Sequence, residues 1–85
     1  MQEKMQHYLR DNTFLEAFAE LTNEEAIELR DAYNRKDLSA TAIIVMKAKW
    51  SKYTFSPHCS MCLIEARHIA EAVIHFRENP QNYGY

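Results

Sequence analysis

The chain has 85 residues carrying 10 basic and 12 acidic groups, a formal net charge of −2. That length holds one hydrophobic core, so residues 1–85 are expected to form a single domain, and that charge argues against a protein coating DNA or anionic lipid over its whole surface. The one glycine, Gly84, excludes the glycine-rich loops with which Walker-type and dinucleotide sites approach phosphates.

No apolar run approaches the roughly 20 residues of a membrane span, and Met1 to Asn12 lacks the charged-then-apolar layout of a secretion signal. A cytoplasmic protein with no membrane contact is the expectation. Cys59 and Cys62 are too few for a disulfide framework, so stability must come from burial of an apolar set that makes up 47% of the residues. Two prolines, Pro57 and Pro80, and a single glycine leave few chain breakers. The fold class this predicts is all-α, a small bundle of about four helices joined by short polar turns.

The first segment, Gln2 to Leu9, sets Met5, Tyr8 and Leu9 on one helical face. It ends near Asp11-Asn12-Thr13, where a short polar side chain can cap the next helix. In that second segment Phe14, Leu15, Phe18 and Leu21 recur at three-to-four spacing and should point into the core. Thr22 followed by Glu25 is a capping box, in which hydroxyl and carboxylate satisfy each other's free N–H groups at a helix start. A third helix from Asn23 to about Arg35 follows, with Ala26, Leu29 and Tyr33 inward and Glu24, Glu28 and Asp31 in water. Ile27 falls outside that stripe and is a candidate interface residue, although single exposed apolar residues are ordinary.

Residues 39–55 read two ways. The β-branched run Thr41 to Val45, and the alternation of Met46, Ala48 and Trp50 with Lys47, Lys49 and Ser51, suit a strand. As a helix, Ala42, Ile43, Met46, Trp50 and Tyr53 share a broad inward face. Helix is the expectation, because no second strand signal exists and a lone strand leaves its backbone groups unpaired. The alternative is an α+β fold with residues 41–50 as a strand paired across a dimer. Ser56-Pro57 then opens the last and longest helix, 57–78. Pro80 stops it, leaving 80–85 as a tail that is mobile or docked by its tyrosines.

The run His58-Cys59-Ser60-Met61-Cys62 contains a C-x-x-C pair, so a zinc site built on Cys59 and Cys62, with His58 or His7 assisting, is one candidate. On a regular helix His68 and His75 lie about 180° and about 160° from Cys59, facing away from the thiols. The same pair sits near a helix N-terminus, where a thiolate is stabilised and redox activity becomes conceivable. The reading preferred for the cysteines is burial, since they share an arc with Leu63, Ala66, Ile69, Ala70 and Val73. On the opposite side Ile64, His68, Glu71 and His75 form a continuous row that reads as an interface. Glu65 with His68 is a Glu-x-x-His of the kind that holds metal pairs in bundles, but no other helix repeats it, so only a symmetric dimer completes such a site. Histidines at an interface would make assembly sensitive to pH near about 6.5.

Net charge conceals an uneven distribution. Residues 1–31 carry three basic and eight acidic groups, residues 32–55 five and one, and residues 56–85 two and three. In the basic middle, Lys47, Lys49 and Lys52 stand among Trp50, Tyr53 and Phe55, a mixture that can bind single-stranded nucleic acid. Five charges are few, and an acidic protein surface, including the acidic half of another copy, accounts for them equally well.

No nucleophile–base–acid set can be assembled, so enzyme activity is not expected, nor any cofactor beyond the conditional zinc. The functional expectation is a non-catalytic helical protein acting through protein–protein contacts, as an adaptor, inhibitor or regulator, in homodimeric form. Apolar residues on more than one face of the last two helices motivate it. A metal or redox protein and a nucleic-acid binder are the alternatives.

Overall fold

Short polar side chains start three of the five α-helices among the described residues. In the computed structural model, which describes residues 3–48, 50 and 60–85, α1 spans Glu3–Leu9 and α2 Asn12–Ala19. Asp11 caps α2, its Oδ1 accepting from the Thr13 N–H at 3.0 Å and from the Thr13 hydroxyl at 2.6 Å. The predicted capping box opens α3, Asn23–Asn34: the Glu25 N–H donates to Thr22 Oγ1 and the Thr22 N–H to Glu25 Oε1, both at 3.0 Å. Asp37 caps α4, Leu38–Lys47, accepting from the Ala40 N–H at 3.1 Å. The longest helix, α5, covers Ser60–Glu78, and a 3₁₀ turn over Pro80–Tyr83 follows it.

The architecture is the expected all-α bundle, with no strand among the described residues. Within the stretch 41–50, residues 41–47 are helical and no described residue is in a strand, which corrects the α+β alternative. β-branched residues lower helix propensity by only tenths of a kcal/mol each, and burial of Thr41, Ala42, Ile44 and Val45 outweighs that. Residues 57–59, where the last helix was expected to begin, lie outside the described residues, as does Ser56.

Helix α5 is the centre of the bundle, packed against α1, α3 and α4. It buries Ala66, Ile69, Ala70, Ala72, Val73 and Phe76 along one arc. In the same core lies an aromatic cluster in which Phe14 sits 5.3 Å from Tyr8, 4.6 Å from Phe18 and 5.0 Å from Trp50, centroid to centroid. Offset and edge-on pairs of this kind contribute beyond the area they bury. Arg77 closes the far end of α2. Its Nη1 donates to the carbonyls of Phe18 and Leu21 at 3.0 and 2.6 Å, and its Nη2 to Asn23 Oδ1 at 3.1 Å.

Two inward faces differ from expectation. In α3 the buried residues are Leu29 and Ala32, while Ala26 and Tyr33 are half-buried beside openings on either side of the helix. In α4, Ile43 and Met46 were expected inside and are instead 53% and 45% exposed. The helix is apolar almost all round, so its packing on both α3 and α5, rather than its periodicity, selects the face that enters the core. Tyr53 lies outside the described residues. The tail docks by its tyrosines: the rings of Tyr83 and Tyr85 meet Phe76 edge-on at 5.8 and 5.2 Å.

Candidate functional site

The surface with the most unusual chemistry is the face formed by α3 and α4. Capped by Thr22, α3 turns its Leu29–Ala32 side to the core and presents Glu24, Ile27, Glu28 and Asp31 outward. The turn at Arg35–Asp37 brings α4 back beside it, presenting Ile43, Met46 and Lys47. Between the helices is an opening of about 350 Å³ lined by Glu28, Asp31 and Arg35 on one side and by Ala40, Ile43, Ile44 and Lys47 on the other. Among the described residues no ion pair joins the two sides. Asp31 instead stands 4.0 Å from Arg30 Nε, an exposed pair of little energetic weight. The face thus pairs a mainly acidic α3 half, Ile27 among three carboxylates with Arg35 at its end, with an apolar–basic α4 half, Ile43 and Met46 beside Lys47.

On the other flank of Ile27 runs a groove between α3 and α5, about 380 Å³ in volume, walled by Ala26, Leu29, Val73 and Ile74 and edged by Arg30, Arg77 and Glu78. Its apolar walls suit packing. It holds no arrangement of acid, base and nucleophile.

Among the residues singled out by spacing, Ile27 and Ile64 are 49% and 51% exposed. Glu71 and His75, from the remainder of the Ile64 row, are engaged by the chain itself. Glu71 accepts the Tyr33 hydroxyl at 2.7 Å and lies 3.7 Å from Arg67 Nε. His75 meets the Tyr83 ring at 6.0 Å, whereas His68 is half-buried with its enclosed Nδ1 lacking a hydrogen-bond partner. For the zinc reading, Cys62 is half-buried in α5 and His7 is exposed on α1, while Cys59 and His58 lie outside the described residues. Among the described residues no three His, Cys, Asp or Glu side chains are grouped to hold a metal ion. Lys47 is exposed at the end of α4, and Lys49 and Lys52 lie outside the described residues. No helix among the described residues is long and apolar enough to cross a membrane.

Ile43 and Met46 are the residues that spacing assigned elsewhere. No signal in the spacing marks them, because the apolar run from Ala42 to Met46 is unbroken and Ile44, close to Lys47 on the helical wheel, is buried.

The Tyr33–Glu71 bond has a measurable signature. Burial, with the Glu71 bond and charge adding to it, raises the Tyr33 hydroxyl above its usual value of 10.0. A raised value means stability that is fully present below the unfolded-state pKa and is lost as pH climbs through the folded-state one. Wild type is therefore expected to lose more stability than Tyr33→Phe above about pH 10, read as the difference between their urea midpoints across the alkaline range. Parallel curves would show that the hydroxyl carries no such linkage.

No protein-family model, curated protein or solved structure matches this chain.

Proposed function

We propose that this is a non-catalytic protein that acts through protein–protein contacts, as an adaptor, inhibitor or regulator, and that it self-associates through the α3–α4 face. One observation carries the reading: three large apolar side chains, Ile27, Ile43 and Met46, are about half exposed on a face whose two halves carry opposite, mutually unpaired charge. Such a surface is self-complementary under a two-fold axis running along the seam between the helices. That operation lays α3 of one copy over α4 of the other, Ile27 against the Met46 region and Glu28 toward Lys47, and repeats each contact twice. Burial of the aliphatic side chains supplies the affinity and the charges fix the register.

Charge exchange tests it. Glu28→Lys and Lys47→Glu each set like charges against each other twice in a homodimer. At about 0.7 kcal/mol per exposed pair, each variant is expected to weaken self-association roughly tenfold. An equimolar mixture of the two variants restores opposite charges at both positions and should recover the dimer, measured by sedimentation velocity. A wild-type chain that remains monomeric at millimolar concentration ends the proposal for this face. So does a mixture no tighter than its components.

A further inference from the structure

A second opening lies at the corner where α3 ends, α4 begins and the middle of α5 passes behind them. It measures about 270 Å³ and is lined by Tyr33, Asn34, Lys36, Leu38, Thr41 and Arg67. Its charged lining is wholly cationic, whereas the α3–α4 opening sets two carboxylates against two cations and the α3–α5 groove includes Glu78. The nearest carboxylates have other work. Glu71 accepts the Tyr33 hydroxyl and stands 3.7 Å from Arg67 Nε, and Asp37 caps α4 through the Ala40 N–H. Arg67 nonetheless keeps a side chain that is 59% exposed. Leu38 and Tyr33 add apolar surface to the same lining.

Lys36 occupies an unusual backbone position. After α3 the Lys36 N–H donates to the Tyr33 carbonyl and the Asp37 N–H to the Ala32 carbonyl, both at 3.0 Å. This is a Schellman turn, in which the left-handed residue is Lys36 with φ 61°. Glycine is the usual occupant because a side chain is disfavoured there. The fold accepts that strain at a lysine that lines the cavity, a juxtaposition that points toward function.

We propose that this corner binds a phosphomonoester of a small organic molecule, with Lys36 and Arg67 as its charge partners, Asn34 as a further donor, and Leu38 and the Tyr33 ring against the organic part. A dianionic phosphate matches two cations in charge, and its three terminal oxygens can accept from separate directions at once, as the guanidinium fork and the point-charge ammonium require. The site is separate from the self-association face.

Amide chemical-shift titration of the full chain with phenyl phosphate, at constant ionic strength, tests it, with inorganic phosphate as the comparison. Saturable shifts are expected at Tyr33, Asn34, Lys36, Leu38 and Thr41, with phenyl phosphate at least threefold tighter than inorganic phosphate. Lys36→Gly should bind at least fivefold more weakly while its Tm rises by a few degrees, because glycine relieves the turn. That pairing separates lost binding from lost folding. Arg67→Gln, at an exposed position, should also bind at least fivefold more weakly. Shifts that fail to saturate overturn the proposal. So does equal affinity for the two phosphates, or undiminished binding by both variants.

Discussion

Phe14→Ala is expected to destabilise the chain by about 3–5 kcal/mol, the range for truncating a buried aromatic. Phe14 has no exposed surface, and its ring is shared by Tyr8, Phe18 and Trp50. Removing it therefore opens a cavity at the point where α1, α2 and the segment after α4 converge. None of those neighbours can slide inward without breaking its own edge-on contacts. A domain of this size has on the order of 4–13 kcal/mol in total, so the variant stands close to unfolding at ambient temperature. Urea denaturation followed by far-ultraviolet circular dichroism gives the value. A loss below about 1 kcal/mol would mean that the cluster collapses around the gap.

Arg77→Ala is expected to cost about 2–4 kcal/mol, from two charge-assisted hydrogen bonds to carbonyls that lose their donor. The Phe18 carbonyl belongs to the last turn of α2, where the helix itself offers no partner, and the Leu21 carbonyl to the turn that follows. Arg77→Lys should recover less than half of the loss. A lysine ammonium cannot reproduce the planar fork that reaches both carbonyls and Asn23 Oδ1 together. Full recovery by lysine would show that charge rather than shape matters here. Paired urea curves for the two variants decide between these outcomes.

The parts of this fold legible in the sequence are those governed by local chemistry. Thr22 and Glu25 lie three residues apart and the side chain of each bonds the other's backbone, so no tertiary information was needed. The Phe14, Leu15 and Phe18 stripe is similarly local, since α2 is polar on its other side. Helix α4 was legible as a helix but not in its orientation. With apolar residues at nearly every position from Ala42 to Met46, periodicity does not distinguish inside from outside, and the neighbouring α3 and α5 made the choice. The candidate site shared that difficulty: Ile27 stood out by falling off a clear stripe, whereas Ile43 and Met46 were hidden in an unbroken apolar run. The Tyr33–Glu71 bond and the Arg77 clamp join residues 38 and 56–59 positions apart. Nothing in residue spacing announces such partners.

The central place of α5 has a consequence for how the chain matures. During synthesis α1 to α4 leave the ribosome first, yet the surfaces of α1, α3 and α4 that bury apolar side chains do so against the helix made after them. The nascent chain therefore holds its greasy faces uncovered until α5 has emerged, and the tunnel delays that moment further. Folding of this bundle is thus completed only after α1 to α4 are already outside, the stage at which incomplete cores are most open to aggregation and to capture by chaperones.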